Sequence, residues 1–544
     1  MVYRLYSRGW LPACGFFALF LAASTALAQI PSPGVVEESL RPRPSLPDKI
    51  PPLPELKSPA AIQPQIQAEE RRVLVKHFVF TGNSLFSATE LEAVIADQRD
   101  KELTLTEIYG LADRLTEFYQ SKGYSLSTVT VPAQKMQDGS LQFAVVEGRV
   151  GKLVFEGNQG YSEAYLTRQL NKLKPGTILR FKDLEGEVLL LNDNPGLIVR
   201  SVLTPGEAYG TTDINLKIEE APVAGRFTLD NQGRKVVGQW RAGLDLTLNN
   251  PAKIGDSLSL GYTHTQDNLL RQGRFGYSLP LFDDGTRLGF NYSRAEYDVG
   301  GEFADLGIEG ISESARLQLS RPLIRSRKMN LSGNLVAAHT RGQSDLGSTS
   351  LNNDRIDFFE AGLTFNHRNS SGGMANLSGV LASNFKDNPN GADSGALPPR
   401  LELRGDYEQF FDQGISALVR GEAVLSDDHL PDSHKYGIGG PTSVRGFVSS
   451  AVRGDRGGML GLELRKHLPL DPVDLQVKGF VESGRVYHEA DGLASESLTS
   501  AGVGVSLLFA DKHNLDLQWA TPIDGNDSGD GDGSRFWLSL TLSY

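Results

Sequence analysis

The chain has 544 residues, a formal net charge of -12 and 59 glycines, with 39% hydrophobic residues. A chain of this length holds more than one domain, and its acidic balance excludes the basic footprint of a nucleic-acid-binding protein. After the N-terminus no apolar run reaches the roughly 20 residues that a membrane-spanning helix needs.

Residues 1–28 read as a secretory signal peptide, with Arg4 and Arg8 at its start, "LPACGFFALFLAAS" as its apolar centre and the small-x-small site "ALA" at 26–28. "LPAC" precedes the apolar centre and is not read as a lipoprotein box. Cys14, the only cysteine, falls inside this segment, so the exported chain has no disulfide. An exported, disulfide-free protein of this size fits a Gram-negative envelope. Residues 29–71 are rich in proline and read as a semi-rigid linker. Within it, "GVVEESL" offers a helix of about two turns.

Residues 72–149 read as a β-α-α-β-β unit. "VLVKHFVF" is a strand ended by "TGN". Ser87 with Glu90 has the spacing of a capping box, and Ile108, Leu111, Leu115 and Phe118 line one face of a helix that stops at Gly123. "SLSTVTVPAQ" and "LQFAVVEG" alternate as strands. Residues 150–222 repeat the plan: "GKLVFEGN" parallels "KHFVFTGN", two helices follow, and "IVRSVLTPG" and "TDINLKIEE" close the unit. Two copies of one supersecondary unit in tandem form an array.

From residue 223 to 544 the pattern is alternation of period two. In "WRAGLDLTL", Trp240, Ala242, Leu244, Leu246 and Leu248 share a face, and Arg241, Asp245 and Thr247 share the other. Sixteen such segments begin near residues 224, 237, 256, 270, 285, 312, 328, 353, 373, 399, 413, 458, 474, 497, 512 and 535. That leaves about twenty residues for each strand and its connection, enough for a transmembrane β-strand. Every second connection is short, such as "FDD", "SSG" and "AD". Many of the others are long, such as "GGEFADLGIEGI", "GQSDLGSTSL" and residues 427–457. Short turns on one side and long loops on the other suit an outer-membrane barrel. An even strand count returns the C-terminus to the side where residue 223 enters, so both small units lie in the periplasm. The expected fold is mainly β: a 16-stranded antiparallel transmembrane barrel preceded by two small α+β domains.

Enzymatic motifs are missing. There is no HExxH, GxSxG or P-loop, and "DGNDSGDGDGS" at 524–534 lacks the acidic twelfth position of a calcium loop. Neither a catalytic function nor a cofactor or metal is expected. On the strand near 474, Leu475, Val477 and Val481 fall on one parity and Gln476, Lys478, Phe480 and Glu482 on the other. Lipid forces the apolar parity outward, so Glu482 faces the lumen. An arginine on an infolded loop, Arg445, could meet it as a bidentate pair. Spacing alone favours a solvated loop arginine and one lumen carboxylate among many.

"GGPTSVRGF" at 439–447 resembles the lumen-loop signature of the two-partner secretion transporters, the TpsB family of the BamA-like superfamily, through Val444, Arg445, Gly446 and Phe447. "FVESGRVY" at 480–487 resembles the family's inner-wall motif, through Phe480, Glu482 and Gly484, with glutamate where the family usually has aspartate. "VPAQ" with "GSLQFAVVEGRV" resembles the end of that family's first POTRA domain, and "LLLNDNPG" with "LTPGEAYGTTDINLKIEE" its second. The resemblance covers nearly the whole chain after the signal peptide. It implies that Arg445 pairs with Glu482, that a helix near the N-terminus can plug the pore, and that the POTRA pair binds an unfolded secreted partner, such as an adhesin, haemolysin or toxin, which then threads the barrel. Outer-membrane lipids and the barrel-assembly machinery are the other implied partners, and Tyr544, ending an alternating strand, suits a C-terminal insertion signal. A barrel-assembly factor and a diffusion porin are the alternative readings.

Overall fold

The computed structural model describes residues 32–40, 55–56, 72–136, 138–389, 395–489, 494–510, 512–525 and 533–544. The expected signal peptide, most of segment 29–71 and most of the 524–534 loop lie outside these residues.

In the first module the expected single strand divides at Lys76. Val73–Val75 (β2, after the short strand Glu55–Leu56, β1) pairs with Lys101–Leu103 (β4), a strand that the alternation does not announce. His77–Thr81 (β3) lies parallel to Ser140–Val146 (β6), which also pairs with Thr128–Thr130 (β5). The helices Ala88–Ile95 (α2, following the N-terminal Pro33–Leu40, α1) and Leu105–Ser121 (α3) both open with a capping box, Ser87 with Glu90 and Thr104 with Glu107. Each cap satisfies amides that the helix cannot, a contribution of about 1 kcal/mol. Leu91, Ile95, Ile108, Leu111, Leu115 and Tyr119 then bury the helical faces against Leu141 and Phe143.

The second module repeats this with Arg149–Glu156 (β7), Glu163–Gln169 (α4), Phe181–Asn192 (α5), Leu197–Pro205 (β8) and Thr211–Glu220 (β9). The tandem repeat reaches single atoms. Gly82 and Gly157 both take positive φ, +82° and +95°, where a Cβ would lie 2.3 and 2.4 Å from the carbonyl oxygens of Val145 and Ile218. Only glycine fits such a turn. In each module a glutamate at the end of the last strand gathers the amides of the loop after β3 or β7: Glu147 accepts from Ser84 and Leu85 at 2.7 and 2.8 Å, and Glu220 from Gln159 and Gly160 at 2.9 and 2.7 Å. The linker adds something the sequence does not signal. β1 pairs in parallel with β8, so residues from segment 29–71 occupy an edge of the second module's sheet.

Sixteen strands close into an antiparallel barrel, matching the sixteen alternating segments. They are Val223–Asp230 (β10), Arg241–Asn249 (β11), Ser257–Thr265 (β12), Leu270–Pro280 (β13), Arg287–Asp298 (β14), Ile308–Arg325 (β15), Met329–Leu346 (β16), Thr349–Arg368 (β17), Met374–Ser383 (β18), Arg400–Phe410 (β19), Ile415–Ser426 (β20), Arg456–Leu470 (β23), Val473–Tyr487 (β24), Glu496–Phe509 (β25), His513–Asp524 (β26) and Arg535–Ser543 (β27). Between β20 and β23, Tyr436–Ile438 (β21) and Val452–Gly454 (β22) form a separate hairpin. One expected loop is corrected: β16 and β17 run through "GQSDLGSTSL", pairing up to Leu346 with Thr349 across a tight turn at Gly347. Those strands, of 18 and 20 residues, exceed what the hydrocarbon layer requires, so they project beyond it.

The second module is fastened to the short-turn end of the barrel. Arg325 forms a two-point pair with Asp193 at 2.8 and 2.7 Å, Arg168 reaches Asp283 at 2.7 Å, and Arg327 meets Glu185.

Candidate functional site: the barrel lumen

Parity decides which residues face the lumen. On β23, Leu460, Leu462 and Leu464 are exposed on the outer wall, whereas Glu463 is buried. On β24, Val477 and Val481 face out and Lys478, Phe480 and Glu482 face in. The stretch between β20 and β23 folds into this interior. Val444, Phe447, Val448 and Ile438 pack against Ile356, Phe358, Val424, Met459, Val486 and Leu498 of the wall, giving the loop an apolar core of its own. Glycines let it come close. A Cβ on Gly446 would lie 2.7 Å from the Ser500 side chain and 3.0 Å from Pro522 N, and one on Gly484 would lie 3.1 Å from Met459 Cβ.

Arg445 stands at the centre, 4% exposed, with Glu482 at 1% and Glu463 at 6%. Its Nε donates to Glu482 Oε1 at 2.8 Å, and its backbone amide donates to Glu482 Oε2 at 2.9 Å. One Nη donates to Glu463 at 2.7 Å and lies 2.6 Å from Glu482 Oε1, and the other donates to Gln518 at 3.1 Å. The guanidinium carbon lies 3.3 Å from the centroid of the Phe480 ring, a cation–π contact. The Arg445 carbonyl accepts from Trp537 Nε1 at 2.8 Å. The ring of charge continues outward: Arg465 donates to Glu463 at 2.7 Å and to Glu408 at 3.1 Å, and Lys478 donates to Asp516 at 2.6 Å. A buried cation that uses its whole fork in this way is held in one geometry, since removing any partner leaves a charge uncompensated.

The two motifs singled out in the sequence therefore meet. Tyr544 stands apart from them, exchanging backbone hydrogen bonds with Gly225 at 2.9 and 3.2 Å, with Lys512 5.8 Å from its ring centroid. Glu463, Gln518 and Trp537 escaped the sequence reading. The alternation in "MLGLELRKH" places Glu463 on the inward parity, which is a usable signal. Nothing local marks Trp537 as a partner of residue 445.

A second segment shares the lumen. Helix α1, from the "GVVEESL" stretch, lies against the inward faces of β15 and β16 near their far ends. Val36 packs with Val236, Leu270, Tyr297 and Phe303. Gly34 N donates to Asp432 Oδ2 at 3.1 Å, and Arg453 donates both to Asp432 Oδ1 at 2.7 Å and to Ser32 Oγ at 3.0 Å. Gly34 is required, because a Cβ would lie 2.5 Å from Arg453 and from the Asp432 carbonyl. Among the described residues no cluster of histidine, cysteine and carboxylates suited to a metal ion is present.

Residues 210–507 match the family model described as haemolysin secretion/activation protein ShlB/FhaC/HecB, and residues 73–148 match the ShlB-type POTRA domain. The chain is 25% identical over 475 residues to the heme/hemopexin transporter protein HuxB of Haemophilus influenzae, covering 84% of each chain. It is 26% identical to the outer membrane transporter CdiB of Dickeya dadantii (79% of each chain) and 24% identical to the hemolysin transporter protein ShlB of Serratia marcescens (79% of this chain, 78% of that one). Among solved structures, CdiB from Escherichia coli superposes with a TM-score of 0.74 at 22% identity over 90% of this chain and 94% of that one. BamA from Haemophilus ducreyi lacking POTRA domains 1–3 shares the fold at a TM-score of 0.50 and 17% identity, covering 87% of this chain and all of that one. With paired POTRA-like modules at the periplasmic end, a sixteen-stranded barrel in the outer membrane and a family model that spans more than half of its residues, the chain belongs to the ShlB/FhaC/HecB family of two-partner secretion transporters.

Proposed function

We propose that this transporter exports one unfolded secreted protein, recognised at the POTRA pair and passed through the lumen once α1 and the 427–457 loop have moved. The observation that carries the reading is that both lumen segments, besides their apolar packing, are fixed at their centres by ion pairs and hydrogen bonds. Arg445 holds the loop through Glu482 and Glu463, and Asp432 with Arg453 holds the helix. An occupant held at such polar points can be displaced when they exchange partners. A wall lined with paired charges, such as Arg274 with Asp245 and Arg316 with Glu360, offers a passing chain little reason to stick.

Recognition by strand addition suits the modules, because main-chain hydrogen bonds accept an extended segment with little demand on its sequence. The first module's β5 and β3 are sheet edges, and Val79 on β3 exposes apolar surface. Export needs no nucleotide in this scheme; folding of the cargo outside the cell draws it through. The Arg445 cluster acts as the lock that holds the loop between passages, and outer-membrane lipid and the barrel-assembly machinery are the partners of insertion.

Co-expression with a large exported protein encoded beside it, with and without residues 72–221, tests the reading. Loss of that protein from the medium, with the truncated barrel still in the outer membrane, supports POTRA-dependent export. Unchanged secretion overturns it.

A further inference from the structure

The lumen loop touches both sides of the joint where the barrel closes on itself. That joint, between β10 and β27, has the shortest register in the wall, from Arg226↔Ser543 to Asp230↔Ser539. On its other side β10 pairs from Val223↔Leu248 to Asp230↔Arg241. Past Asp230 the ladder stops, and one side chain replaces it. Asn231 Nδ2 donates to Phe536 O at 2.8 Å, its Oδ1 accepts from Leu538 N at 2.8 Å, and its backbone amide donates to Leu538 O at 3.2 Å. Both peptide groups flanking Trp537 are thus clasped by Asn231.

Trp537 itself points inward, and its Nε1–H donates to the carbonyl of Arg445. Four residues further along the same loop, Ser449 Oγ donates to Gln232 O at 3.4 Å, on the β10 side of the joint. Between loop and wall here lies a cavity of about 490 Å³, lined by Asn231, Gln239, Val448, Phe536 and Trp537 among others. Beside that cavity these two hydrogen bonds link the loop to the two sides of the joint.

We infer that the lumen loop is a staple across the closing joint of the barrel, and that Trp537 is the positioning residue coupling the docking of the loop at Arg445 to the strength of that joint. When Arg445 leaves its carboxylates, its carbonyl leaves Trp537 and the outer end of the joint loses its inner brace. Linkage makes the effect reciprocal, so weakening the joint at Trp537 loosens the loop. The inference concerns the barrel itself, whatever passes through it, and goes beyond the export reading.

Amide hydrogen exchange on the purified full chain tests it, read over residues 224–231 and 536–543 for the joint, 443–449 for the loop, and 335–345 as an internal reference. W537F keeps an aromatic side chain, smaller than indole, and removes the donor, and W519F, on the lipid face, is its control. W537F is expected to speed exchange in both joint and loop by about two- to tenfold, the range for one neutral hydrogen bond, with the reference strand and W519F unchanged. R445A is expected to speed exchange in the joint as well as in the loop. Release of the loop in R445A with the joint at its wild-type rate overturns the inference, as does a W537F effect confined to the joint. Should W537F fail to insert, the comparison of wild type with R445A decides alone.

Discussion

Arg445→Ala removes one cation from several partners at once. Glu463 keeps Arg465 at 2.7 Å, but among the described residues no other cation stands within salt-bridge distance of Glu482, which is 1% exposed. Stripping one partner from a buried pair costs about 3–5 kcal/mol. Water reaching the vacated lumen recovers part of this, which puts the expected loss of loop docking near the lower end, about 3 kcal/mol. That corresponds to roughly a hundredfold shift in the ratio of docked to undocked loop. Two readouts apply: hydrogen exchange over residues 443–449, expected to rise by that factor, and secretion of the partner protein, expected to fall sharply while the amount of inserted barrel stays constant. Arg445→Lys should lie between alanine and wild type, because an ammonium keeps the charge but cannot span Glu482, Glu463 and Gln518 with a planar fork. Wild-type exchange in the loop together with normal secretion in Arg445→Ala would refute the lock.

Glu482→Asp keeps the charge at the cost of one methylene and should secrete nearly as wild type, whereas Glu482→Gln, isosteric but neutral, should behave more like Arg445→Ala; the two are compared in the same secretion assay. Asp432→Ala removes the acceptor for Gly34 N and the counter-charge of Arg453, so α1 should leave the lumen more often, read as a higher open probability in planar bilayers. Gly446→Val should abolish loop docking, since its first carbon already meets Ser500 and Pro522, and should reproduce the Arg445→Ala exchange pattern. Burial alone would raise the pKa of Glu147, but the hydrogen bonds it accepts from Ser84, Leu85 and Tyr119 outweigh that and hold it below the usual carboxylate value. A depressed folded-state value means that its contribution is complete above the unfolded value, near 4.3, and is lost as pH falls through the folded one. Wild-type resistance of residues 72–149 to an acid-active protease should therefore decline on acidification below about pH 4. Glu147→Gln should already be weaker at pH 7 and should show less of that decline; parallel pH profiles would refute the assignment.

Much of this fold was legible because each solvent imposes its own period. Lipid outside the wall forces strict alternation, so the sixteen strands could be counted from apolar parity, and the same parity turned Glu482 inward. Helical spacing, the capping box at Ser87 and the repeated Gly-Asn turn marked the two modules. Strands of two or three residues, β1 and β4, escaped because so short a stretch has no period to read. The long loop expected at 342–351 failed for a related reason: Gly, Ser, Thr and Asp resemble a loop in composition, yet beyond the hydrocarbon layer a hairpin can carry polar residues on both faces.

The chain's order of residues by itself determined the strand count, the side on which each residue of the wall lies and the motifs that carry Arg445 and Glu482. The tertiary structure alone decided which distant groups meet inside: Glu463 and Gln518 on the guanidinium, Trp537 on the Arg445 carbonyl, and Asp432 at the start of α1. Period and propensity are local properties of neighbours in the chain. The lumen contacts join residues from opposite parts of a closed sheet, and barrel closure together with the infolding of one long loop set their distances.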